Sequence, residues 1–182
     1  MNFGIVKISF ILLTVGVLSC KEKRPDTVVP EQVDPEFTTE QSIEMSQSWA
    51  KDESFKIDQF VKRNNWPAIT SGTGIRYYIF EEGTGKYAEK GKVVTLDYEI
   101  RLLDADTTLC YTSKGDQPTS FLVEMDNVES GLHEAVTYMR EGDKAWVILP
   151  YYLAHGLLGD DDKIPPLSSV LYKLELISVD DV

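Results

Sequence analysis

A chain of 182 residues, 42% hydrophobic and 26% charged, holds enough material for one ordinary globular domain and an N-terminal extension. Its formal net charge of -12 and its short basic runs argue against a nucleic-acid surface, which needs clustered Lys and Arg to displace counterions. The acidity reads as solubility.

The first elements are targeting signals. Lys7 supplies a small positive region, and Ile8 to Leu18 is an apolar run too short to span a bilayer as a helix. It ends Val17-Leu18-Ser19-Cys20 and gives way to Lys21-Glu22-Lys23-Arg24. This pattern resembles a bacterial lipobox. Residues 1–19 are therefore expected to be a lipoprotein signal peptide, with Cys20 the lipidation site and several acyl chains providing a stable membrane anchor. Cys110 is then the one remaining cysteine, no intramolecular disulfide is possible, and its place in Thr108-Leu109-Cys110-Tyr111 suits a small core residue of a strand. Residues 20–37 are polar, with Pro25, Pro30 and Pro35 spaced along them, and read as an extended tether.

A helical extension is expected over 38–66. Thr38 and Gln41 have capping-box spacing, and Ile57, Phe60 and Val61 recur at helical spacing. Asp52 is positioned to cap a second segment, so one or two helices fit. Asn64-Asn65-Trp66-Pro67 ends the region, because a residue before Pro avoids helical angles. From Pro67 onward the pattern is β with one helix. Strands are predicted at 75–80, at 93–103 with Val94, Leu96, Tyr98 and Ile100 on one face, around Cys110, at 118–123, at 144–149 and at 168–177. A short helix is predicted at Gly131 to Met139, with Leu132, Val136 and Met139 on one side. One helix against one face of an antiparallel sheet is an α+β arrangement.

Five motifs in collinear order carry this further. They are Lys90-Gly91-Lys92-Val93-Val94-Thr95-Leu96-Asp97-Tyr98; Val128-Glu129-Ser130-Gly131-Leu132; Met139-Arg140-Glu141-Gly142-Asp143-Lys144; Leu149-Pro150-Tyr151-Tyr152-Leu153-Ala154-His155-Gly156; and Ile164-Pro165-Pro166 followed by Val170 to Leu176. Together they resemble the FKBP-type peptidyl-prolyl isomerases, over roughly Ile75 to Val179. The resemblance implies an FKBP-like antiparallel sheet wrapped around one short helix, in a domain at 67–182. It implies isomerisation of X-Pro bonds in polypeptide substrates, with no cofactor and no metal. Carried over residue by residue, it places Tyr98, His155 and Tyr172 in catalytic positions and Tyr111, Val128, Glu129, Leu132 and Ile164 in substrate-binding ones. Several of these depart from the family. Tyr172 stands where Phe is usual, Glu129 where Ile is, Leu132 where Trp floors the pocket and His155 where a Tyr hydroxyl donates. Cys110 and Tyr111 stand where the family has Phe and Asp, which weakens the expected activity. The lipobox, tether and helical region further resemble the gliding-motility-associated isomerase lipoproteins of the Bacteroidetes.

Other chemistries fit poorly. Two His residues without spaced acidic or Cys partners do not make a typical Zn site. Asp160-Asp161-Asp162 lacks the alternating ligands and Gly of an EF-hand loop. Gly72-Thr73-Gly74 precedes a predicted strand, not a helix, so it is no phosphate cradle. Two readings remain: a lipid-anchored, periplasm-facing, monomeric isomerase that assists envelope-protein folding, or an FKBP-like binding module with little turnover.

Overall fold

The computed structural model describes residues 38–113 and 117–182. The signal peptide, Cys20 and the tether lie outside the described residues. The chain then runs α1 (Thr39–Arg63), β1 (Ile69–Thr70), β2 (Arg76–Glu81), β3 (Val93–Leu102), β4 (Leu109–Thr112), β5 (Thr119–Leu122), α2 (Ser130–Thr137), β6 (Lys144–Leu149), a short 3-10 turn (Tyr151–Leu153) and β7 (Val170–Asp180). Two helices against one antiparallel sheet give the expected α+β fold. Strand β1 escaped the sequence pattern because it is two residues long and exposed.

Helix α1 is one continuous helix. Thr38 and Gln41 form the capping box, each side chain bonded to the other's backbone N–H. Asp52 lies inside the helix and caps nothing. Asn64 closes it, Asn65 turns the chain with a positive φ of 52°, and Trp66 stacks on Trp146 with ring centroids 5.3 Å apart.

The strand order is β1-β2-β6-β7-β3-β4, and β5 also pairs with β3. Strand β3 therefore holds the sheet together: β7 runs along its whole length on one edge, while β5 and β4 share the other. Side chains alternate across a strand, so each strand feeds both faces. Val94, Leu96, Tyr98 and Ile100 of β3 stand opposite Val179, Leu176, Leu174 and Tyr172 of β7, and all belong to the core under α2. Ile148 and Leu171, paired across β6 and β7, face the other way and meet Ile57 and Phe60 of α1.

That second contact makes α1 part of the fold. Ile57 is fully buried and Phe60 is 4% exposed. Arg76 of β2, 5% exposed, donates through Nε and Nη2 to Asp58 Oδ1 at 3.0 and 2.8 Å and to Ser54 Oγ at 2.7 Å. A boundary at 66/67 cuts through these contacts, and Phe37–Val182 forms one compact unit.

Candidate functional site

Helix α2 lies close to the sheet because its second residue is Gly131. A Cβ there would come within 2.8 Å of the Leu153 carbonyl and 2.9 Å of the Leu149 side chain. This approach brings Leu132 down onto β3 and β5. Between them a cavity of about 180 Å³ remains, with Leu96, Tyr98 and Ile100 from β3, Thr119 and Phe121 from β5, and Tyr172 from β7. Val128, Glu129 and Leu132 complete its lining. A larger hollow of about 470 Å³ lies between α1 and residues 102–104 and 167–169. Glu53, Lys56, Arg63 and Asp104 border it beside Phe55, Leu102, Leu103 and Leu167, so its wall is mixed where that of the smaller cavity is mostly apolar.

Polar groups gather at one side of the small cavity. Glu129 precedes α2, and its carbonyl accepts from the N–H groups of Leu132 and His133. Its own backbone N–H has no acceptor among the described residues. Tyr172 Oη donates to Glu129 Oε1 at 2.9 Å. Burial first, and then the charge of Glu129, hold the Tyr172 phenol well above its usual range, so it stays a donor. His155 Nε2 comes within 3.2 Å of the same oxygen but out of line for a hydrogen bond, and this buried nitrogen is left unsatisfied. The Tyr98 hydroxyl also lacks a partner among the described residues. The site thus combines apolar walls with three unengaged polar groups: an amide N–H, an imidazole nitrogen and a phenol.

Five of the eight residues named from the sequence line this cavity: Tyr98, Val128, Glu129, Leu132 and Tyr172. His155 sits at its edge, against Glu129. Ile164 and Tyr111 are elsewhere. Ile164 is 2% exposed within the core, and its N–H donates to Asp160 Oδ1 at 2.7 Å. Tyr111 turns its phenol to the following loop, donating to Asp160 Oδ2 at 2.5 Å and to Asp162 at 3.2 Å, with Lys163 Nζ 4.6 Å from its ring centre. It neither lines the cavity nor replaces a carboxylate there. Cys110 is buried beside the same loop, and desolvation raises its thiol pKa, as a core thiol requires.

Leu96, Ile100, Thr119 and Phe121 were missed as lining residues. The signal was present for two of them, since the alternation of β3 had placed Leu96 and Ile100 on the face of Tyr98. Phe121 was visible only as an aromatic in a short strand. His133 fixes it: Nδ1 accepts from the Glu124 N–H at 2.9 Å, Nε2 lies 2.9 Å from the Asp126 carbonyl, and the ring meets Phe121 edge-on. His133 is thus a brace. No group of His, Cys, Asp and Glu able to hold a metal occurs among the described residues.

Comparison with known proteins agrees with this geometry. Residues 85–177 match the model of the FKBP-type peptidyl-prolyl cis-trans isomerases. The chain is 30% identical over 170 residues to a probable FKBP-type peptidyl-prolyl cis-trans isomerase FkpA of Neisseria meningitidis, covering 90% of this chain and 61% of that protein. It is 32% identical over 132 residues to the outer membrane protein MIP of Legionella longbeachae, covering 71% of this chain and 55% of that one. The chain therefore spans under two thirds of the length of these relatives. The crystal structure of FkpA from Escherichia coli superposes with a TM-score of 0.62 at 27% identity, over 78% of this chain and 65% of that one. Through the matched family model, its sheet and its α2, the chain belongs to the FKBP-type peptidyl-prolyl cis-trans isomerase family.

Proposed function

We propose that this protein isomerises X-Pro peptide bonds in polypeptides, and that Cys20 anchors it by lipid to a membrane of a bacterial cell envelope, facing the periplasm. Its clients are envelope proteins in the course of folding, and it acts as a monomer. The observation that carries the reading is the cavity of about 180 Å³, apolar on most sides and flanked by free donors. Rotation about a peptide bond faces a barrier of about 18–20 kcal/mol, and X-Pro isomerisation is slow enough to limit folding. Lowering that barrier needs no nucleophile or metal. The planar amide is the more polar form, so a pocket that strips its water disfavours it relative to the twisted state. Leu96, Phe121, Leu132 and Tyr98 supply that surface. In this reading the Glu129 N–H and the His155 imidazole hold the flanking carbonyls in the twisted geometry.

A proline-limited refolding reaction with residues 37–182 tests this. Acceleration proportional to enzyme concentration is expected. A spontaneous rate at high concentration, with the unfolded substrate still bound, would instead establish an FKBP-like binding module, the reading compatible with a role in a gliding-motility or secretion machine. Glu129, Leu132 and His155, all departures from the family pattern at the cavity, favour that second reading. The anchor is tested separately: labelled fatty acid should enter the full chain and not its Cys20→Ser variant.

A further inference from the structure

We infer that the Glu129 carboxylate makes this pocket select polypeptides that carry a lysine or arginine next to the proline. This rests on the prolyl-pocket reading above and adds the class of sequence the pocket takes.

Of the nine residues lining the cavity, Glu129 alone bears a charge. Leu96, Ile100, Phe121, Val128 and Leu132 offer only hydrocarbon around it. Its side chain is 19% exposed. Oε1 accepts from Tyr172 and stands beside His155 without a bond. Oε2 has no partner among the described residues. An ionised carboxylate can accept at about four lone-pair sites, and here one protein hydroxyl fills one of them. A donor arriving with the substrate can use the rest, and a cationic donor gains most, because charge-assisted hydrogen bonds are the strong ones.

No lysine or arginine nearby supplies that cation, and the nearest basic group is His155, whose Nε2 lies 3.2 Å from Oε1 without a hydrogen bond. Lys163, on the neighbouring loop, is engaged by the Cys110 carbonyl at 3.0 Å and the Tyr111 ring. Asp160 of the same loop lies near His155 and adds negative potential on that side. With a prolyl ring in the apolar part of the cavity, a neighbouring residue begins about 3.8 Å away along the chain. A Lys or Arg side chain from there reaches a carboxylate in the cavity wall. An acidic neighbour meets repulsion instead.

The test uses the full-length chain in detergent and two peptide series, X-Pro and Pro-X, neutral apart from X, with X as Lys, Leu or Glu. Isomerisation is measured by NMR exchange and affinity by calorimetry. At least one series should favour Lys over Glu by about tenfold, the size of one partly solvated charge-assisted hydrogen bond. Glu129→Gln should bring that ratio toward one, and Glu129→Lys should invert it. Added salt should shrink it, since the pair is only partly shielded from solvent. Equal handling of Lys and Glu in both series, or a preference that survives Glu129→Gln, would overturn the inference. Binding with this preference but without turnover would sink the isomerase reading and keep the selectivity. Binding of none of the peptides would defeat both.

Discussion

The two faces of the sheet use the same strands for opposite ends. On the α1 face, Ile57, Phe60, Ile148 and Leu171 close on one another, Trp66 stacks on Trp146, and every polar hydrogen of the buried Arg76 that reaches α1 meets an oxygen. On the α2 face the packing stops short. It leaves a cavity of about 180 Å³, a buried imidazole nitrogen without a hydrogen bond, and a carboxylate with an unused oxygen. The hollow of about 470 Å³ beside α1 is bordered by charged side chains, whereas this space lies among apolar ones that a face built for stability alone would have packed. The difference separates residues whose loss unfolds the protein from residues whose loss disarms it, and each variant below tests that separation.

Deleting residues 38–63 should have the largest effect. It bares Ile148 and Leu171 and strips the buried Arg76 guanidinium of Asp58 and Ser54, so residues 67–182 should melt at a much lower temperature or without cooperativity. Phe60→Ala is the point version. It should cost about 3–5 kcal/mol in urea unfolding, the usual range for emptying an aromatic site. Turnover per folded molecule should stay at the wild-type value. His155→Ala should do the reverse, slowing proline-limited refolding about tenfold, near 1.4 kcal/mol, with the melting temperature little changed. If Phe60→Ala slows turnover, or His155→Ala unfolds the protein, the two faces are not separable. Tyr172→Phe lies between them. It keeps the buried ring but removes the donor to Glu129, so about 1 kcal/mol of stability should be lost in urea unfolding.

The sequence made β3, β6 and β7 legible because a strand with one buried face writes its period into the residue order. The same alternation put a third of the cavity lining, Leu96, Tyr98 and Ile100, on one face. What it could not show was which faces meet. Ile57 and Phe60 read equally well as a stripe on a separate extension, since helical spacing says nothing about the partner. Leu171 and Ile148 read as strand residues, and only the pairing of β6 with β7 puts them on the side of α1. Tyr111 stands outside the cavity lining for a related reason. Alignment with a family motif fixes a position along the strand, whereas the direction of its side chain depends on the carboxylates that the 160–162 loop presents. Cys110, read from its neighbours as a small core residue, is buried as expected.

The smallest expected effect concerns that loop. Its shape is set by Gly159, whose φ of 76° suits glycine and where a Cβ would fall within 2.2 Å of the Ile164 carbonyl. Asp160 then ties the loop. Burial opposes ionisation of its carboxyl, but hydrogen bonds from Tyr111 and from the Ile164 and Asp162 N–H groups outweigh that and bring the pKa from 3.8 to about 2. A carboxyl whose pKa is lower in the folded state adds stability above its unfolded value, and loses it as pH falls through the folded one. The window for Asp160 is therefore from 3.8 down to about 2. Tyr111→Phe removes one of its donors and should lower the melting temperature slightly at neutral pH. That gap should hold down to about pH 5 and close only inside the window, where the carboxylate protonates and the phenol loses its charged acceptor. Melting curves of the two proteins across that range measure it directly. A gap that closes above pH 5 would show that the Tyr111 phenol acts on some group other than Asp160. The cavity on the α2 face should bind prolyl peptides equally well in both proteins, because Tyr111 stands outside its lining.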